Sequence, residues 1–477
     1  MLPDYERIDQ DAFRILELLC RQPSVSAEAR ALDETAVLVE ELLVDAGFGT
    51  RRLQVAASPV AVYGEQRGRS EFTLLLYNHY DVQPVDPVEL WESPPFEPTE
   101  RDGKLFARGT ADNKGELAVR LAVIRALREQ DNELPISIRW IIEGEEEVLS
   151  PHFDEIVRVN RELLRTDACL WEGAPARLRD GRPSIALGFK GALSVRLDVR
   201  ALDSDAHSAL AAVAPGAAWR LIDALASLRD RSGEILIPGF AEHVRTPTDA
   251  ELQAIAEQSG AMEEEVRTTY GIRATYDNVA GPAYRQRISF APTANVAGVH
   301  AGYSGPGVKT VLVAEASAWL DFRLVPDRHP EEILNLLRTH LKREGFSDVG
   351  VSPLGTAEPA GTPIEHPFVQ RVVRVAERTS AKPASILPRA GGTLPIIASL
   401  HRQLNVPGLS APRKPVLLRR PRTRTERTRQ ARRRQPSDPL HLRIAPGSGL
   451  ANRRVRAVPL SEGPSRPGFR VLTLLSS

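Results

Sequence analysis

At 477 residues, with 42% hydrophobic and 26% charged content, the chain is too long for one ordinary core and excludes a disordered or fibrous class. No run of 18 apolar residues and no basic-then-apolar N-terminal segment occur, so neither a membrane span nor a secretion signal is expected, and the cytoplasm is the expected location. The net charge of zero hides an asymmetry: residues 413–477 carry +14 and residues 1–412 carry −14. Only two cysteines occur, Cys20 and Cys169, each in an apolar segment, which excludes a disulfide scaffold and reads as buried thiols.

Apolar residues at helical spacing predict helices from Ile8 to Cys20 and from Leu32 to Leu43. The run from Phe72 to Tyr77 predicts a buried strand. A helix after Asn113 carries Leu117, Leu121, Ile124 and Leu127 on one face, and Ile136–Ile142 predicts a further strand. Strands alternating with helices predict an α/β architecture with a largely parallel sheet. From residue 192 the character changes. Leu193, Val195, Leu197 and Val199 alternate with polar residues, as in a strand with one wet face. A helix over Ala217–Leu228, a strand pattern from Val311 to Leu324 and a helix over Glu331–Leu341 complete a smaller α+β unit. The expected organisation is a first domain part over 1–190, an inserted unit over 191–355 and a return to the first domain over 356–412. Residues 413–477 form a basic tail whose first part, 413–434, has no apolar face at either period.

Four short segments carry chemistry. Tyr77-Asn78-His79-Tyr80-Asp81 ends a predicted buried strand, where a His followed by Asp suits a metal ligand held by a carboxylate; an isolated His-x-Asp is more often structural. In Arg108-Gly109-Thr110-Ala111-Asp112-Asn113-Lys114-Gly115, Asp112 precedes a helix and reads either as an N-cap or as a carboxylate bridging two cations, with Gly109 and Gly115 allowing close backbone approach. Glu143-Gly144-Glu145-Glu146-Glu147 places four carboxylates in five residues at a strand end. They repel one another unless solvated or neutralised by cations. Asp167-Ala168-Cys169-Leu170-Trp171-Glu172 again ends an apolar run in an acid. Together the four segments make a mixed nitrogen and oxygen metal site the economical reading.

In this order the segments resemble the signature of the dinuclear zinc exopeptidases and amidohydrolases that include carboxypeptidase G, carnosinase-type dipeptidases, aminoacylase, acetylornithine deacetylase and succinyl-diaminopimelate desuccinylase. The resemblance runs from about residue 10 to about 412. It implies a mixed sheet flanked by helices, with an inserted α+β dimerisation (lid) domain. It further implies hydrolysis of the amide bond of dipeptides or N-acyl amino acids by a homodimer with two Zn2+ per subunit, Co2+ or Mn2+ being alternatives. His79, Asp112, Glu147 and Glu172 would then be metal ligands, with Asp112 bridging. Asp81 would orient His79 and Glu146 would be the general base. His207, in Asp205-Ala206-His207-Ser208, would reach the partner's site and stabilise the oxyanion. Asn295, Arg323 and the turn Gly391-Gly392-Thr393 would bind the substrate, its carboxylate above all.

The resemblance stops at the tail. A further metal-ligand His is expected some 20–25 residues after Pro407–Pro412, and that window holds Arg422–Thr428 with no histidine; His401 lies before it and His441 after it. The break coincides with the charge jump, a rise in proline and the loss of periodicity, and reads as a shifted reading frame of GC-rich DNA, consistent with 55 arginines against 7 lysines. The second metal site would then be incomplete and the chain impaired or inactive. A nucleic-acid role for the tail finds little support, since no aromatic residue lies between Arg413 and Arg466 to stack on bases.

Overall fold

The computed structural model describes residues 4–101, 103–172, 180–258 and 260–411. The basic tail over 413–477 and the expectations attached to it lie outside them.

The helices α1 (Tyr5–Cys20), α2 (Leu32–Asp45), α3 (Lys114–Asp131), α4 (Pro367–Ser380) and α5 (Ile396–Leu404) accompany an eight-stranded sheet. Its strands are β1 (Gly49–Leu53), β2 (Ala61–Gln66), β3 (Gly68–His79), β4 (Leu134–Glu143), β5 (Ala168–Trp171), β6 (Ser184–Ala186), β7 (Ser385–Leu387) and β8 (Gly408–Ser410). The spatial order is β1-β2-β4-β3-β5-β8-β6-β7. The sheet is mixed rather than largely parallel: β1, β2 and β4 pair antiparallel, whereas β4, β3, β5 and β8 run parallel. Both faces are covered. Leu74, Leu76, Ile138, Trp140 and Ile142 pack on one side with α1, α2, α3 and α4, while Leu75, Tyr77, Ile141 and Trp171 pack on the other with Phe153, Ile156 and α5. Burial on both faces is why Leu74–Tyr77 of β3 and Trp140–Ile142 of β4 read as continuous apolar runs, although Ser137 and Arg139 break the first half of β4.

Between Gly191 and Ala357 the chain builds a second sheet of four antiparallel strands, in the order Thr293–Ala301, Glu315–Leu324, Gly191–Arg200 and Gly350–Ala357. Helices Ala217–Ala226 and Pro330–Arg343 close one face of it over Leu193, Val195, Leu197, Leu320 and Phe322. The strand pattern expected from Val311 to Leu324 is in fact two strands, Val311–Leu312 and Glu315–Leu324. The short first piece pairs with Ala206–His207. At the break, Ala314 donates its N–H to Asp205 Oδ1 at 3.1 Å and accepts from Ala201 N, so its backbone is satisfied outside the ladder. Among the described residues no helix is long and apolar enough to cross a membrane.

Candidate metal centre

Parallel strands in one sheet end on the same edge, and ligands bind at the carboxyl ends of such strands. Here the adjacent strands β4, β3 and β5 end in Glu143, His79 and Trp171, with His79 opposite Glu143 in register. The acidic segment 145–147 continues β4, and Glu172 continues β5. Asp112 arrives from the segment before α3. That segment is tight: Gly109 adopts φ +85°, and a Cβ on Gly115 would lie 2.1 Å from the Thr110 carbonyl oxygen. The helix N-cap position is taken by Asn113, and the Asp112 side chain before it is 75% exposed.

His79 is fully buried. Its Nδ1 lies 3.1 Å from the Asp81 carbonyl and 3.2 Å from Asp81 Oδ1, acceptors that hold the Nδ1 proton and turn the Nε2 edge toward the carboxylates. Nε2 faces Asp112 Oδ1 at 3.2 Å, Glu172 Oε2 at 3.3 Å and Glu146 Oε2 at 3.8 Å. Asp81 does a second job. Its carboxylate accepts the backbone N–H groups of Glu146 and Glu147 at 3.2 and 3.1 Å, fixing the turn that carries both glutamates against the imidazole it orients. Glu145 points elsewhere: its carboxylate accepts from the backbone and ring of His152, at 3.0 and 2.9 Å. Of the adjacent glutamates, therefore, Glu146 is the one directed at His79. Glu147 is half-buried and holds Gln83 Nε2 at 2.8 Å.

Electrostatics fit a cation. Burial drives Glu146 well above the usual carboxylate range, His79 opposes it, and Glu172 and Glu147 add to the rise. Burial likewise pushes Glu172 up to about 7, against the pull of His79. Glu172 Oε2 is buried and has His79 Nε2 beside it at 3.3 Å, without a well-aligned hydrogen bond. Such a carboxylate is costly unless a proton or a metal neutralises it. Single donor atoms of His79, Asp112 and Glu172 lie within 4.8 Å of one another, a nitrogen and oxygen set that suits Zn2+. Glu147 lies outside that trio, although it is on the same turn as Glu146.

Arg323 and Thr393 meet: Arg323 Nη1 donates to Thr393 Oγ1 at 2.7 Å, and its Nε to Asp321 Oδ2 at 3.2 Å. Asn295 pairs with Asp321 across the strands and Thr293 with Arg323, so all four residues share one face of the second sheet. Gly391 and Gly392 are exposed, and the Gly392 carbonyl accepts from Lys190 N at 3.0 Å. His207 is exposed; its ring accepts the Ala209 N–H at 3.1 Å and makes no ion pair with the His79 cluster of its own chain. Two features of the site escaped the sequence: Gln83 on Glu147, which carried no signal, and Arg120 beneath the strand ends, whose signal was a charge amid the apolar residues of α3.

The sequence matches the model of peptidase family M20/M25/M40 over residues 75–403. The chain belongs to this family. The crystal structure of an M20 family metallo-carboxypeptidase from Sulfolobus solfataricus superposes with a TM-score of 0.78 at 32% identity, covering 84% of this chain and 91% of that one. Human Beta-Ala-His dipeptidase is 28% identical over 282 residues, 57% of this chain and 53% of the relative, so the match to this M20/M25/M40 peptidase spans about half of that protein's length. A Cys-Gly metallodipeptidase of Schizosaccharomyces pombe is 26% identical over 358 residues, 71% of this chain and 75% of the relative.

Proposed function

We propose that this M20/M25/M40 peptidase hydrolyses the amide bond of a dipeptide or N-acyl amino acid that bears a free carboxylate. The observation that carries the reading is the buried His79 Nε2 facing Asp112 and Glu172, with the Glu146 carboxylate 3.8 Å away. His79, Asp112, Glu147 and Glu172 would hold Zn2+, with Co2+ or Mn2+ as substitutes and Asp112 as the bridge between two ions. The metal, when bound, supplies Lewis acidity and a water acidic enough to attack near neutral pH. Glu146 would take a proton from the attacking water and pass it to the departing amine. Asp81 keeps the His79 tautomer and the Glu146 turn in place. Arg323, Asn295 and the Gly391-Gly392-Thr393 turn receive the substrate carboxylate, the guanidinium by paired hydrogen bonds. His207 acts on the site of a second copy of the chain, stabilising the oxyanion, which makes the working unit a homodimer in the cytoplasm. The dipeptidase names of the relatives support a dipeptide before an N-acyl amino acid.

A second reading, a catalytically impaired member, is favoured by two observations. Glu147 is held by Gln83, and His79 is the only histidine in the metal-binding group found among the described residues. One experiment separates the two. The chain is loaded with zinc and assayed on a panel of dipeptides and N-acyl amino acids, beside a version with the C-terminal reading frame restored. Turnover by the chain as it stands supports hydrolysis; zinc binding with no turnover, recovered only in the restored version, supports impairment.

A further inference from the structure

Arg120 lies on α3 and is buried together with Glu116, at 9% and 5% exposure. Its Nη1 donates to the Tyr77 carbonyl and to Asn78 Oδ1, both at 2.7 Å. Its Nη2 donates to Glu116 Oε1 at 2.5 Å and to the Trp171 carbonyl at 3.0 Å. Tyr77 lies two residues before His79, and Trp171 lies one before Glu172. Asn78 extends the network: its Nδ2 donates to Asn113 Oδ1, next to Asp112, and its Oδ1 also accepts from Trp140 Nε1 of β4 at 3.1 Å. Asn113 Nδ2 returns to Glu116 Oε2 at 3.4 Å.

The pairing of β3 with β5 supplies the reason such a link is needed. Their register runs from Leu74 opposite Ala168 to Leu76 opposite Leu170 and goes no further. No ladder joins the two strands where His79 and Glu172 leave them, so their separation has to be set by something else. Arg120 bridges Tyr77 and Trp171 there, and all four N–H groups of its two terminal nitrogens are engaged. Glu116 pairs with it at the fourth acceptor, and the other three contacts fall on the two strand ends.

We infer that Arg120 is a positioning residue for the metal centre, fixing the spacing of His79, Asp112 and Glu172 through the backbone of two strand ends and through Asn78. The inference rests on the reading of those three as metal ligands. A lysine cannot replace it, since one ammonium cannot span four acceptors lying in the fork of a guanidinium.

The test compares Arg120→Lys and the charge-neutral pair Arg120→Met with Glu116→Met against the parent, with Leu228→Ala in the second core as a stability control. Zinc affinity is measured by competition with a chelator, at a temperature where each apo-protein is folded by circular dichroism. The Co2+ absorption spectrum then reports ligand geometry, and urea unfolding of the apo-proteins reports stability. Outer partners of metal ligands are worth about 10–100-fold in affinity, and a loss of that size with an altered Co2+ spectrum is expected in whichever Arg120 variant folds, while Leu228→Ala loses stability and keeps parental affinity. Parental affinity and an unchanged Co2+ spectrum in a folded Arg120 variant would overturn the inference, whatever its stability. His79→Ala separates the underlying reading: if it too leaves zinc affinity unchanged, the metal centre itself is wrongly placed.

Discussion

Asp81 shows how one residue organises the site: a single carboxylate faces the Nδ1 edge of His79 and takes the N–H groups of Glu146 and Glu147. That geometry turns Glu146 toward His79, whereas the oxygens of Glu145 are occupied by His152, and it is why Glu146 is proposed to carry the proton transfer. Glu146→Gln keeps the size and burial of the side chain and removes the base. Turnover should fall by about 10²–10⁴-fold while zinc per chain stays at the parental value; steady-state kinetics with metal analysis on the same sample checks both. A variant that retained turnover would show that another group carries the proton. Asp81, His79 and the acidic cluster were visible in the sequence because they sit at the ends of apolar runs. Gln83 was not, since an exposed glutamine in a loop has no pattern to stand out against.

The elements that bring these residues together are strands β4, β3 and β5. Their apolar runs are legible because each is buried on both faces, but their order in space is not, since β4 follows β3 by more than fifty residues and lands on the opposite side of it from β5. Leu75 is fully buried at the middle of β3, packed with Ile141 and Trp171. Leu75→Ala removes those contacts and leaves a cavity, for a loss of about 2–5 kcal/mol, to be read by urea unfolding. A loss below 1 kcal/mol would mean that the strand is less central to the core than its burial indicates. The Val311–Leu324 pattern shows the opposite limit. Its apolar content reads as one strand, and only the bond from Ala314 to Asp205, more than a hundred residues away in sequence, divides it.

At the scale of the molecule, two consequences follow. Lys190 is buried between the two sheets' connecting segments, with Nζ on the Ala291 carbonyl at 2.6 Å. Burial, helped by Arg389 and Arg323, pushes its pKa down to about 8. The unfolded chain holds that proton to about pH 10.4, so between about pH 8 and 10.4 the unfolded state binds more protons and stability rises with pH. Below that window the buried charge costs on the order of 3 kcal/mol. Lys190→Met should flatten this rise in urea unfolding followed across the window, and an unchanged slope would assign it to other groups. The second consequence concerns His207, which is exposed and whose ring accepts the Ala209 N–H. If it serves a second copy, mixing inactive Glu146→Gln and His207→Ala proteins and letting them reassociate should restore activity, because the mixed dimer has one site with both groups intact. Silence of the mixture, with dimers confirmed by light scattering, would place the action of His207 elsewhere or nowhere.

The sequence by itself determined the segments of the site, the change of character near residue 191 and the family resemblance, because apolar periodicity and strand-end acids are local signals. It also exposed the basic tail, through charge and lost periodicity. Only the tertiary structure decided which glutamate turns toward His79, how Arg323 meets Thr393, and that Arg120 spans the gap where β3 and β5 cease to pair. Those are relations between segments tens to hundreds of residues apart, fixed by packing and hydrogen bonds that no local pattern encodes.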